Sequence, residues 1–389
     1  MTPTTTPKAP TVRVRDTRDL LSIVPFALGY RPAECLVVVC VRRAGGLGLV
    51  ARADLADLRR PGERSHVAEL VATRAGQDAT AAAYVIVYTA ADTSPGTPAR
   101  TAADAFAAAL DAVVPERESW VVGRRRYWSL DCADPECCPP DGFPLDALES
   151  TEPGAQLVLA GRAPARSRDE LYRVSRADEA RRGLAGRAAS RWARARERDA
   201  APEALTSWRA QSFDAWRLAA ERAAGGGEIP AALLGRLAVA LEDRTVRDAV
   251  LLWLVPGRAD LAAAVAAGGE GDCATDAATG EAIAAVVDPA CACLPDEEWV
   301  AAATAALEAV VAHAARRRTV APLTLLAFIA WWTGEGSRAN YRLAEALAVD
   351  PGYRLARLLD AALEAALAPG WVNARCDATS ARGGGPDLR

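Results

Sequence analysis

Hydrophobic and polar positions divide this chain into two regimes. Before about residue 135 the apolar residues fall in short runs of the kind that strands need. "CLVVVCVRR" (35–43) and "AAYVIVYTA" (82–90) are continuous apolar runs, the pattern of strands buried on both faces. "GLGLVARADL" (46–55) follows the first run after a glycine turn and reads as its antiparallel partner. "TVRVRD" (11–16) alternates with period two, and "SWVVGRRRYWSLD" (119–131) reads as two short strands bent at Gly123. Between these runs lie three helical segments. "LLSIVPFALGY" (20–30) ends near Gly29, "RSHVAELVATRA" (64–75) has Ser65 as candidate N-cap, and "PARTAADAFAAALDAVV" covers 98–114.

Beyond about residue 150 the strand signal fades and helical spacing runs to the end. "AAGGGEIP" (223–230) breaks one helix, and "AAGGEGDCATDAATG" (266–280) reads as a loop or a weak helix end. In the 34-residue frame 320–353, Leu323, Leu326 and Ala327, then Ala339, Leu343 and Ala346, stand where a tetratricopeptide-like hairpin needs them; Pro351 closes the second helix. The fold expected is therefore an N-terminal mixed α/β sheet domain over residues 11–160. An all-α, partly tetratricopeptide-like domain follows over 161–372, with disordered tails at 1–10 and 373–389.

Composition narrows the chemistry. The chain has 389 residues, 51% hydrophobic and 25% charged, with a net charge of −4, so it has no global pull toward nucleic acid or anionic lipid. No apolar run spans a membrane, and "MTPTTTPKAP" lacks the apolar core of a signal peptide; cytoplasm is the expected location. Lys8 is the one lysine and lies in the N-terminal tail, which argues against a lysine Schiff base or a P-loop. With His66 and His313 alone, no H-E-x-x-H zinc site exists, and neither histidine stands in a triad motif. "RRAGGLG" (42–48) reads as a hairpin turn rather than a phosphate loop. Catalysis is thus less expected than binding.

Residues 162–222 carry 15 arginines against 9 acids, a local balance of +6. Interleaved acids make this a solvated helix face with i,i+4 pairs such as Asp178 with Arg182, rather than a phosphate groove. No nucleic-acid partner is expected.

"DCADPECCPP" (131–140) is the one stretch that looks chemical. Three thiolates at Cys132, Cys137 and Cys138 would supply three of the four ligands of a structural zinc, with Asp131, Asp134, Cys35 or Cys40 as candidate fourth. The spacing C-x4-C-C is not that of a zinc knuckle, and nearby acids should raise the thiols' pKa values. The expected arrangement is a proline-stiffened corner at the sheet edge, with reduced cysteines whose sulfurs point apart and no bound cofactor. Cys35 and Cys40 are expected in the core; Cys273, Cys291 and Cys293 form a looser group.

Three segments in this order, "DLLSIVPFALGYRPAECLVVV" (19–39), "RYWSLDCADPECCPPDGFPL" (126–145) and "GEGSRANYRLAEALAVDPGYRLARLLDAAL" (334–363), resemble an actinobacterial family known as domain of unknown function 4192. The resemblance covers about residues 13–370 and implies no activity, cofactor or partner. Two readings follow. The first is a cytosolic binding or scaffold protein that docks an as yet unknown protein partner through its helical domain. The second is a metal or redox protein that uses Cys132, Cys137 and Cys138.

Overall fold

The structure is a computed structural model that describes residues 12–198, 201–268, 273–372 and 374. The expected tails at 1–10 and 373–389 lie outside these residues, Ala374 excepted, as does Cys376. The chain forms two compact units, residues 1–173 and 174–389.

The first unit runs α1 (Thr17–Leu28), β1 (Cys35–Arg42), β2 (Leu47–Asp54), α2 (Pro61–Gln77), β3 (Thr80–Tyr88), α3 (Pro98–Asp111), β4 (Glu116–Val122), β5 (Arg126–Ser129), β6 (Phe143–Pro144), α4 (Asp146–Glu149), α5 (Glu152–Leu159) and α6 (Arg168–Tyr172). Its six strands form one mixed sheet in the order β2-β1-β3-β4-β5-β6. β3 and β4 are parallel, joined by the α3 crossover, and all other neighbours are antiparallel.

Side-chain alternation along β1 builds two cores from one run. Leu36, Val38 and Cys40 face the alanine-rich sides of α2 and α3; Cys35, Val37 and Val39 face Leu20, Leu21 and Val24 of α1. Covered on both faces, this strand has no polar positions to show, which is why it reads as unbroken hydrophobicity.

Two local expectations are corrected. Residues 12–15 are not a strand, because Asp16 caps α1: its Oδ1 accepts the Asp19 amide at 2.8 Å, while the Arg15 amide donates to Asp19 Oδ2 at 3.1 Å. Ser65 is not the cap of α2. Pro61 starts that helix from its first turn, and Ser65 lies inside it.

The second unit is helical: α7 (Glu179–Arg198), α8 (Pro202–Ala224), α9 (Ala231–Ala240), α10 (Arg244–Leu254), α11 (Ala259–Ala266), α12 (Cys273–Val287), α13 (Glu297–His313), α14 (Val320–Trp332), α15 (Gly336–Val349) and α16 (Arg354–Glu364). No strand occurs among the described residues beyond Pro144. The stretch read as a loop or weak helix end at 266–280 contains the start of α12, a 15-residue helix. α14 is buried on all sides except at Phe328, as a helix apolar all round must be. It packs on α15, where Ala339, Leu343 and Ala346 are fully buried and let the backbones approach.

The arginines of this unit are put to structural use. Asp178 does not pair with Arg182 as expected; its Oδ1 caps α7 by accepting the Arg181 amide at 2.9 Å. Asp243, whose side chain is 1% exposed, binds Arg196 at 2.9 Å and Arg209 at 3.1 Å. It also caps α10 by accepting the Val246 amide. Arg342, 2% exposed, is held by Glu308 at 2.8 Å and Glu345 at 3.0 Å.

Candidate metal centre

The segment 130–142 connects β5 to β6 at the edge of the sheet. Its anchors are polar. Ser129 Oγ accepts the amides of Asp131 and Cys132 at 3.1 Å each. The Asp131 carboxylate accepts the Ser119 amide of β4 and pairs with Arg117 at 3.0 Å. Beyond this anchor Asp134 turns the chain. Its Oδ1 accepts the Glu136 amide at 2.9 Å, and its carbonyl accepts the Cys138 amide at 2.7 Å. At the far end Gly142 sits at φ 73°, and a Cβ there would come within 2.7 Å of the Tyr127 carbonyl oxygen. Arg126 clamps this end by donating to the Gly142 carbonyl at 2.7 Å.

Between these anchors the three sulfurs converge. The Sγ atoms of Cys132, Cys137 and Cys138 all lie within 4.8 Å of one another, and those of Cys137 and Cys138 are 3.9 Å apart. The expectation that they point into separate contacts is corrected. The turn from Asp134 to Cys138 folds the Cys137–Cys138 pair back over Cys132. Tetrahedral geometry at a Zn–S bond of about 2.3 Å puts ligand sulfurs about 3.8 Å apart, so three sulfurs within 4.8 Å of one another could serve as ligands of one ion after small side-chain movements.

At Cys132 and Cys138 hydrogen bonding and burial, rather than the surrounding acids, dominate the thiol shifts. The Asp134 amide, followed by the Cys138 thiol, donates to the Cys132 sulfur and lowers its pKa, although the Asp134 charge opposes this. Cys138 is the reverse case: burial, followed by its bonds to Cys132 and Cys137, pushes its thiol up to about 12. The expectation that carboxylates raise all three thiols therefore fails at Cys132, where hydrogen bonds to the thiolate outweigh them.

None of the candidate fourth ligands joins the cluster among the described residues. Asp131 is committed to β4, and Asp134 to its own turn. Cys35 and Cys40 lie fully buried on opposite faces of β1, where burial pushes each thiol up to about 11. Cys137 is exposed and its two partners are half-buried, so solvent reaches the open side. Cys273 and Cys291 are exposed, and Cys293 has its thiol raised by burial; these three form no ligand group with the cluster.

The histidines stand elsewhere. His66 is exposed on α2. His313 is buried at the end of α13, with Nδ1 2.7 Å from the Ala309 carbonyl oxygen. Trp331 and Trp332 are core residues whose neighbourhood includes Phe328.

One feature escaped the sequence: a cavity of about 1080 Å³ within the first unit. It draws on residues 21–34, 88–90, 122–124 and 145–164, and no one of these segments carries a ligand-binding motif of its own. The one local trace is Val158-Leu159, an apolar pair left exposed at the end of α5.

Residues 18–294 and 285–370 match the family described as domain of unknown function (DUF4192), so the chain belongs to that family. Among curated proteins and solved structures nothing matches.

Proposed function

We propose that this DUF4192 member is a non-catalytic binding protein whose first unit holds a soft metal ion, zinc above all, on Cys132, Cys137 and Cys138. The convergence of the three sulfurs within 4.8 Å carries this reading. Thiolates favour zinc and Cu(I) over hard cations, and three of them leave a fourth position for water or for a ligand from another molecule. A cytoplasmic, actinobacterial setting agrees with it, because thiols stay reduced there.

Titration of the reduced protein with Co2+ tests the proposal. One equivalent should produce thiolate-to-cobalt charge-transfer absorption, which zinc then abolishes. Cys132→Ser and Cys138→Ser should each weaken binding without unfolding the protein. Absence of the band in reduced protein, with a disulfide forming readily between Cys132 and Cys137 or Cys138 on mild oxidation, would favour the redox reading instead.

The second reading, docking of a protein partner by the helical unit, draws support from α12 and α13. Ile283, Val287, Leu294 and Trp299 all stay exposed in this region, in the same unit as the α14–α15 hairpin, whose residue spacing we read as tetratricopeptide-like. A photo-cross-linking residue at position 299 should trap one discrete partner, lost in Ile283→Asp; diffuse or unchanged cross-linking would contradict this reading.

A further inference from the structure

The cavity of the first unit opens where the parallel strands β3 and β4 end and β1 begins, the place where open α/β sheets commonly receive ligands. Tyr88 and Val122 line it at these strand ends; Leu21 and Phe26 of α1 and Leu148 of α4 are among its apolar walls. Its volume of about 1080 Å³ lies just above the usual range of small-molecule sites, about 300–1,000 Å³.

Two observations show that the lining is unfinished, one apolar and one polar. Val158 and Leu159, both in the lining, are 59% and 88% exposed. The Tyr88 hydroxyl is buried and has no hydrogen-bond partner among the described residues. A backbone strain sits at the same place. Glu34 lines the cavity at φ 47° and is held there by its carboxylate, which accepts from the Thr89 hydroxyl at 3.0 Å and the Ala90 amide at 3.1 Å.

The charges select the ligand. The acid Glu34 is committed to those two donors, and Glu149 pairs with Arg31 at 3.1 Å. Arg124, also in the lining, is exposed and makes no ion pair or side-chain hydrogen bond among the described residues. A large apolar cavity with one uncommitted cation suits a long apolar body with a singly charged anionic head. We infer that the first unit binds a long-chain aliphatic carboxylate, its chain in the cavity and its head on Arg124. One guanidinium balances a carboxylate, whereas a phosphate ester carries up to two charges. The inference is independent of the metal centre, since none of Cys132, Cys137 and Cys138 lines the cavity.

Calorimetric titration of the full chain with dodecanoate, below its micelle concentration, tests this. One saturable site per chain is expected. Arg124→Gln should weaken dodecanoate by about tenfold, the loss of one charge-assisted hydrogen bond, and leave dodecanol unchanged. Ala155→Trp, at an exposed lining position, should abolish binding of both with the melting temperature preserved. Non-saturable uptake, dodecylammonium or dodecyl phosphate binding as tightly as dodecanoate, or an unchanged dodecanoate affinity in Arg124→Gln would each overturn the inference.

Discussion

Cys138 shows what metal binding must overcome at a single residue. Its thiol stands at about 12 in the free protein, while that of Cys132 is lowered. A metal that binds thiolates must displace these protons, so affinity should fall as pH falls. Zinc binding measured in buffers of different ionisation enthalpy should release more than one proton per ion near neutral pH, and weaken steadily from pH 8 to pH 6. A pH-independent affinity would place the metal elsewhere. In the second unit Asp243 is the residue with most at stake. Removing its buried carboxylate leaves Arg196 and Arg209 unpaired and uncaps α10, so Asp243→Ala should cost about 3 kcal/mol in denaturant unfolding. A change below about 1 kcal/mol would mean that solvent already compensates both arginines. Spacing named the three cysteines as a group but could not show where their sulfurs point, because the backbone carbonyl and carboxylate of Asp134 make that turn.

At the scale of elements, β1 was the most legible and also carries a pH signature. Burial raises Cys35 and Cys40 from their ordinary value of 9.0 to about 11. The unfolded chain therefore loses these protons first, and their contribution, fully present below pH 9, is lost as pH rises toward 11. The protein should destabilise across this window by an amount on the order of 2 kcal/mol per thiol. A Cys35→Val, Cys40→Val double variant should flatten that slope in urea titrations at successive pH values, and an unchanged slope would contradict the assignment. In the 130–142 loop, Gly142→Ala forces a Cβ against the Tyr127 carbonyl from a left-handed backbone. It should lower stability by about 1–3 kcal/mol and loosen the metal site; wild-type stability and affinity would show that the loop tolerates a shift. Strand pairing and the helices on each face could be read because β1 and β3 are apolar along their lengths. The starts of α1 and α2 could not, since Asp16 outcompeted an alternating pattern and Pro61 an apparent serine cap.

Across the whole molecule the sequence displayed its division into a sheet unit and a helical unit, because period-two and continuous apolar runs stop near residue 130. It hid the cavity, which exists only when four separated segments come together. The arginine-rich stretch read as a solvated helix face, and in the structure several of its side chains are engaged: Arg181 with Glu228 at 2.6 Å, Arg196 and Arg209 with Asp243, while Arg236 of α9 lies 3.8 Å over the Trp192 ring. Their field should be weak beyond a Debye length of roughly 8 Å in physiological salt. Fluorescence anisotropy should accordingly find no submicromolar affinity for duplex DNA or RNA under those conditions, and a tight, salt-sensitive isotherm would contradict this. The central claim, a thiolate metal centre at Cys132, Cys137 and Cys138, is tested most directly by the metal content of protein purified reduced and without chelator. Elemental analysis should find one zinc per chain, and none in the Cys132→Ser, Cys137→Ser, Cys138→Ser triple variant. Metal-free wild-type protein that also fails to take up added zinc, or equal zinc in both proteins, would contradict it.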